Sequence, residues 1–476
     1  MLNAEQQPRG PEKKDVAKTW QRVLALMKRI RDDQGPEKAQ QVIDQFLEEE
    51  AEILRGTDPQ TANERTAASF DEFRNELTDN AVNLGKAEKA QFNEGDVIKL
   101  GDKTIKVGEL LGQGGQGKAM RARLSIEGEK EPRDIVIKVL EPTNFKEVNN
   151  AIREARILNA LSKGDKLTER EGKATKARGA LDYFGQQLIM TNEGQKLVLM
   201  MEDLKDGDEL GEMLDKGELD GMQKMQVIRD FVADLRKVHK DVAHEDLKPA
   251  NIFVQRIKPE KDNPLHPGVR ARLIDYGISR IIDSPQAKEE GMSGSPLYFD
   301  PAKMEGKPVE DIRKHDIYQT GVILFEICFG KEAFYHYESS TDLFFHIASQ
   351  KNNLEKGFSI EEAMKYARTI TVPNAEMRDL ALDVMKLSDK CIGPIEKRPD
   401  TEELAQALHG KGGILTRLRE MRRAGNKDVN KQWTETLSNF QETIDRFAEV
   451  CRQKRKTEDL SKKPSTKTTE FNITID

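Results

Sequence analysis

Apolar side chains recur at helical spacing in three early segments: Trp20, Val23, Leu24, Met27 and Ile30; then Val42, Ile43, Phe46, Leu47, Ile53 and Leu54; then Phe70, Phe73 and Leu77. Pro36 and Pro59 fall between them as breaks, so the pattern predicts a small helical bundle over residues 15–84, within an N-terminal extension of residues 1–90. From about Val97 the period shortens to two. The runs "VIKLGDKTIKVGELLG" and "RDIVIKVLE", punctuated by glycine turns, predict antiparallel strands. After "NFKEVNNAIREARILNAL" the pattern is mostly helical to about residue 410, and strands followed by helices indicate an α+β domain over residues 97–410. In a C-terminal extension of residues 411–456, Trp433, Leu437, Phe440, Ile444, Phe447 and Cys451 recur at spacings of four and three, which predicts one long helix with a single apolar stripe. The polar, basic stretch 457–476 is expected to form a flexible tail.

Composition narrows this outline. The chain has 476 residues, more than one compact domain usually needs, which fits a large central domain with flanking pieces. A net charge of −7 gives no reason to expect a nucleic-acid partner or a charged membrane surface. Cys328, Cys391 and Cys451 are too far apart in sequence to suggest a disulfide framework or a zinc site. Neither a signal-peptide core nor a window of about 18 apolar residues occurs. The expectation is a soluble protein of a reducing compartment, the cytoplasm.

Candidate chemistry begins at "ELLGQGGQGKAMRARL", where Gly112, Gly114 and Gly117 satisfy G-x-G-x-x-G. A dinucleotide-binding turn with this spacing opens directly into a helix, whereas here "KAMRARLSIEGEKEP" leads through a turn into another strand. The pattern is therefore a glycine-rich hairpin whose backbone amides can lie against phosphates. Lys138, alone among Ile, Val and Leu in "IVIKVL", is costly to bury without an anionic partner. Glu154, within the helix "AIREARILNAL", is the candidate to hold it. In "HEDLKPANIFV", Asp246 can accept the proton of an attacking hydroxyl, Lys248 can neutralise a transferring phosphoryl group, and the Asn251 amide oxygen can bind Mg²⁺. Asp275, at a strand end in "RLIDYGISR", supplies a second hard oxygen for the metal.

Taken in order, these segments resemble the eukaryotic-type protein kinase family, over roughly two-thirds of the chain. "GQGGQG" is similar to its glycine-rich loop, "IVIK" to its strand lysine, "EARIL" to its glutamate helix, "HEDLKPAN" to its catalytic loop and "DYG" to its Asp-Phe-Gly motif. "GSPLYFDPA" resembles the end of the activation segment. "DIYQTGVILFEI" resembles the buried helix whose aspartate, here Asp316, braces the catalytic loop, and "EKRPDTEEL", with Arg398, the last helical subdomain. The resemblance implies a bilobal fold, with an antiparallel-sheet lobe and a mainly helical lobe, that uses ATP and Mg²⁺. Lys138 and Glu154 would position phosphates, and "LMMEDL" would supply the adenine-reading hinge through Met201, Glu202 and Leu204. Lys248 together with Ser295 resembles the members that act on serine or threonine of a protein substrate.

Four positions depart from the family. Glu245 replaces an arginine that grips an activation-segment phosphate, which a carboxylate would repel. Ala302 replaces the glutamate that pairs with Arg398, so that brace is expected to be missing or rebuilt by Glu305. Ala119 thins the adenine pocket, and Tyr276 for phenylalanine is mild. Two insertions, the basic 163–180 and the stretch 256–268, read as solvated surface. These departures leave an alternative, a kinase-shaped scaffold that binds nucleotide and recruits a regulatory partner through its helical flanks. The unusual flanks would also suit a bacterial effector acting inside a host cell.

Overall fold

The computed structural model describes residues 92–100, 102–114, 117–140, 145–163, 181–191, 194–258, 267–282, 295–304 and 310–462. The helical segments expected before residue 85 and nearly all of the basic insertion at 163–180 lie outside the described residues. Two compact units make up the described chain. The first takes residues up to 207 together with 234–245 and 272–282, the second residues 208–233, 246–271 and 295–462.

Strand alternation builds the first unit. Strands β1 (Val97–Leu100), β2 (Lys103–Gly114), β3 (Gly117–Ile126), β4 (Arg133–Leu140), β5 (Tyr183–Thr191) and β6 (Gly194–Glu202) form one antiparallel sheet in the order β1-β2-β3-β4-β6-β5. Successive side chains of a strand point to opposite faces. On β4, Ile135, Ile137 and Val139 therefore enter a core with Ile98, Ile105, Met120, Leu124, Val198 and Met200. Lys138 takes the other face. Helix α1 (Phe145–Lys163) buries Ala151, Ala155, Ile157 and Leu158. Two short strands, β8 (Val242–Ala243) and β11 (Arg280–Ile281), pair antiparallel.

Helices dominate the second unit. A three-stranded sheet, in the order β10 (Val269–Leu273), β9 (Ile252–Arg256), β7 (Gly207–Glu209), is its strand component. In chain order its helices are α2 (Leu210–Asp215), α3 (Gly221–Val238), α4 (Pro301–Met304), α5 (Arg313–Phe329), α6 (Ser340–Gln350), α7 (Ile360–Ala367), α8 (Ala375–Ile392), α9 (Thr401–His409), α10 (Ile414–Arg423) and α11 (Val429–Lys462). Helix α5 is apolar around most of its circumference and is buried almost end to end, as such a helix must be. Gly321 lets α8 cross it closely, since a Cβ there would lie 2.6 Å from the Cys391 Cβ. Ser388 Oγ completes the crossing by donating to Gly321 O at 2.6 Å.

The stripe expected on the final helix is present on α11. Trp433, Leu437, Phe440, Ile444 and Cys451 are buried, and Phe447 is half-buried. The helix continues to Lys462, past residue 457 where the sequence suggested that a flexible tail begins. Its first turns also finish the start of α3. Gly221 N donates to Thr434 Oγ1 at 2.8 Å and Met222 N to Asn430 Oδ1 at 3.1 Å, while Asn430 Nδ2 donates to Asp220 Oδ2 at 2.9 Å. Trp433 packs so closely that a Cβ on Gly221 would come within 2.7 Å of its Cδ1. Among the described residues no helix is long and apolar enough to cross a membrane.

Candidate active site

In the first unit the lone strand lysine finds its counter-charge. Lys138 Nζ donates to Glu154 Oε1 at 2.6 Å and to Asp275 Oδ1 at 2.8 Å. Glu154 reaches it from α1 with 4% of its side chain exposed, so neither charge could be buried here without the other. Burial works against the ammonium, but Glu154 and Asp275 outweigh it and raise the Lys138 pKa above its usual value. Burial likewise opposes the Asp275 carboxylate. Lys138 and the Gly277 N–H, which donates to Asp275 Oδ1 at 3.2 Å, outweigh that effect and hold Asp275 below the usual carboxylate range.

Asp275 sits at φ +62°, a left-handed conformation that costs a non-glycine residue free energy unless its surroundings impose it. Tyr276, the next residue, is buried with its ring 5.1 Å from that of His244. Glu245 is also left-handed, at φ +72°, and buried; its carboxylate lies 3.7 Å from Arg280 Nε on β11. In place of the arginine suggested by the resemblance, the chain thus carries a carboxylate with an internal cationic neighbour.

The glycines open the β2–β3 hairpin, where Gly114 pairs with Gly117. Gly117 is conformationally obligatory: it has φ +131°, and a Cβ there would sit 2.2 Å from Val139 O. Nothing lies within 4 Å of a Cβ built on Gly112, so that position is open. Ala119 is cross-strand to Lys138. Met201 and Glu202 end β6, Met201 opposite Val136 and Glu202 accepting from Arg272 Nη1 at 2.6 Å; Leu204 follows, buried.

A second network occupies the second unit, on the 3₁₀ turn Pro249–Asn251 that leads into β9. Asp246 Oδ2 accepts from Lys248 Nζ at 2.9 Å and from Asn251 Nδ2 at 3.1 Å. Its Oδ1 accepts from Ser295 N at 2.9 Å and Ser295 Oγ at 3.0 Å, and Lys248 Nζ also donates to Ser295 Oγ at 2.9 Å. Asn251 Nδ2 further donates to Asp246 O at 2.7 Å, which turns its amide oxygen away from Asp246. That oxygen, and the carboxylate of Asp275 in the first unit, are hard donors of the kind Mg²⁺ prefers. Among the described residues no group of three or more His, Cys, Asp and Glu side chains could hold a metal ion.

Behind this loop, the Gln319 side chain on α5 accepts from Leu247 N at 2.9 Å. Asp316, the residue that the resemblance implies as the brace, is fully buried one turn earlier. Gln319 was missed because one amide in an apolar helix leaves no pattern. The brace on Arg398 is rebuilt, the second of the two outcomes the sequence allowed; Glu305, the candidate for it, lies outside the described residues. Asp300 holds Arg398 through Oδ2 on Nη1 and through Oδ1 on Nη2 at 2.9 Å. His315 Nδ1 shares Asp300 Oδ2 at 2.6 Å. A carboxylate two residues before Ala302 therefore does the work expected of position 302.

Comparison with known proteins adds an independent line. A family model described as "Protein kinase domain" matches residues 105–409. The chain is 34% identical over 145 residues to the serine/threonine-protein kinase PkaA of Streptomyces coelicolor, covering 30% of this chain and 25% of that protein. It is 29% identical over 236 residues to the serine/threonine-protein kinase pkn3 of Myxococcus xanthus, covering 47% and 37%. A third similar protein, the serine/threonine-protein kinase pkn2 of the same organism, is 26% identical over 241 residues, covering 49% and 25%. The chain thus spans a quarter to somewhat over a third of the length of these relatives.

Proposed function

The chain belongs to the protein kinase family, and from that premise we propose that it transfers the γ-phosphoryl group of ATP to a serine or threonine hydroxyl of a protein substrate. In this reading Lys138, kept charged and oriented by Glu154, holds nucleotide phosphates, and Gly112, Gly114 and Gly117 leave backbone amides open to them. Met201, Glu202 and Leu204 meet the adenine. Asn251 and Asp275 would each offer a hard oxygen to Mg²⁺, which would neutralise charge spread over the transferred group. Asp246 orients the acceptor hydroxyl and takes its proton, and Lys248 offsets negative charge on the phosphoryl oxygens.

The observation that supports this reading most is the Asp246 network: Lys248, Asn251 and Ser295 bond both of its oxygens and hold them in one geometry. Positioning of this kind is what phosphoryl transfer asks of a protein. The test is transfer of radiolabelled phosphate from ATP to a generic protein or to the chain itself. Asp246→Ala is expected to lower the rate about 10²- to 10⁴-fold, the usual worth of a positioned base. Transfer by the unaltered chain no faster than by that variant would overturn the proposal. It would favour a nucleotide-binding scaffold, a second reading supported by buried Glu245 beside Arg280.

A further inference from the structure

A cavity of about 660 Å³ lies in the second unit where the end of α6, helix α7 and the middle of α11 meet. Lys356, Lys365, Lys454 and Arg455 line it, against the single carboxylate Glu362. This is a local excess of positive charge on a chain whose net charge is −7. Arg455 is fixed in place, 3.2 Å from the fully buried Glu355 and 4.6 Å above the Tyr335 ring. Lys365 and Lys454, both exposed, add charge beside it. Lys365 also lies 3.4 Å from Glu361 on an exposed helix face, and an exposed pair of this kind is worth at most about 1 kcal/mol, so a stronger anion can displace it.

The same cavity has an apolar wall. Tyr366 is 56% exposed, unusual for so large a ring, and lies 5.0 Å from Phe447. Phe447 in turn packs on buried Phe358 at 5.1 Å, so the wall is anchored in the core. Volumes of about 300 to 1,000 Å³ hold ligands well beyond the size of one inorganic anion. None of these side chains belongs to the two networks described above, and Phe447, Lys454 and Arg455 come from α11, beyond the segment that matches the protein kinase domain.

We propose that this cavity binds a phosphorylated peptide, its lysines taking the phosphate and the Tyr366–Phe447 wall taking an apolar residue beside it. The choice of a phosphopeptide rests on the proposed activity, whose product is phosphoserine or phosphothreonine in a protein. Retaining such a product would keep a substrate with several acceptor sites close to the enzyme.

The experiment uses the full chain carrying Asp246→Ala, without ATP, so that binding is read independently of catalysis. Fluorescence anisotropy follows a labelled peptide bearing phosphoserine next to phenylalanine, and its unphosphorylated twin. The phosphopeptide is expected to bind at least about tenfold tighter than the twin, a difference of about 1.4 kcal/mol. Lys365→Glu with Lys454→Glu, both at exposed positions, is expected to abolish that preference, and Tyr366→Ala to weaken phosphopeptide binding severalfold. An unchanged melting temperature in these variants, and unchanged phosphate transfer to a short unphosphorylated peptide in the wild-type background, separate loss of the site from loss of fold. Equal binding of the two peptides, full preference in the lysine variant, or inorganic phosphate competing as well as the phosphopeptide would each overturn the proposal. Absence of phosphate transfer by the wild-type chain would count against the kinase reading alone.

Discussion

Arg398 is buried and held from several sides: besides Asp300, its Nε donates to Gly393 O at 2.9 Å and its Nη1 to Lys314 O at 3.0 Å. Removing one partner of a buried, hydrogen-bonded pair leaves the other uncompensated and costs about 3 to 5 kcal/mol. Asp300→Asn should therefore lower stability by that order at pH 7, read as a shift in the urea midpoint. Burial opposes the Asp300 charge, but His315 and Arg398 outweigh it and hold the carboxyl below its usual range. Because the folded pKa is the lower one, this contribution is complete above the unfolded value of about 4 and is lost as pH falls through the folded value. The gap between wild type and Asp300→Asn should accordingly be full above about pH 4 and shrink as pH falls below it. A gap that stays constant across that range would show the carboxylate charge to be irrelevant.

At the scale of elements, α11 behaves as part of the fold. Full burial of a large apolar side chain is worth about 1.5 to 3 kcal/mol as an upper estimate, and Trp433, Leu437, Phe440 and Ile444 are all buried along one stripe. The helix also completes the N-terminus of α3. Asp220 and Gln223 cap that end reciprocally, with Gln223 N donating to Asp220 Oδ1 at 2.8 Å and Asp220 N to Gln223 Oε1 at 3.0 Å. Two further amides, those of Gly221 and Met222, are satisfied from α11 by Thr434 and Asn430. Loss of such a cap costs about 1 kcal/mol. Thr434→Ala and Asn430→Ala should each lower stability by about that amount, and the pair should not add, because the two residues share one site. Additive losses in thermal denaturation would instead mean that they act separately. Helix α3 runs to Val238, shortly before the turn that carries Asp246, so a measured drop in phosphate transfer in these variants would tie the final helix to activity.

Over the whole molecule, what could be read from the sequence was what is local. Alternation set Lys138 apart from its apolar neighbours on β4, and the five-residue spacing of Asp246 and Asn251 keeps them on one turn. The stripe on α11 followed from its own periodicity. What escaped were contacts between distant positions made by ordinary residues. Asp300 meets Arg398 98 residues away, Gln319 meets Leu247 72 residues away, and Thr434 meets Gly221 213 residues away. An aspartate, a glutamine or a threonine in such places has no period and no motif, because its role depends on where folding brings its partner. The contact between Gly221 and Trp433 extends this to inheritance. The indole fills the volume that a side chain at 221 would need, so the two sites are free to diverge only together. Descendants that shed the last helix should accumulate alanine or larger residues at 221, while those that retain the tryptophan should remain glycine there, a linkage that a survey of relatives can count.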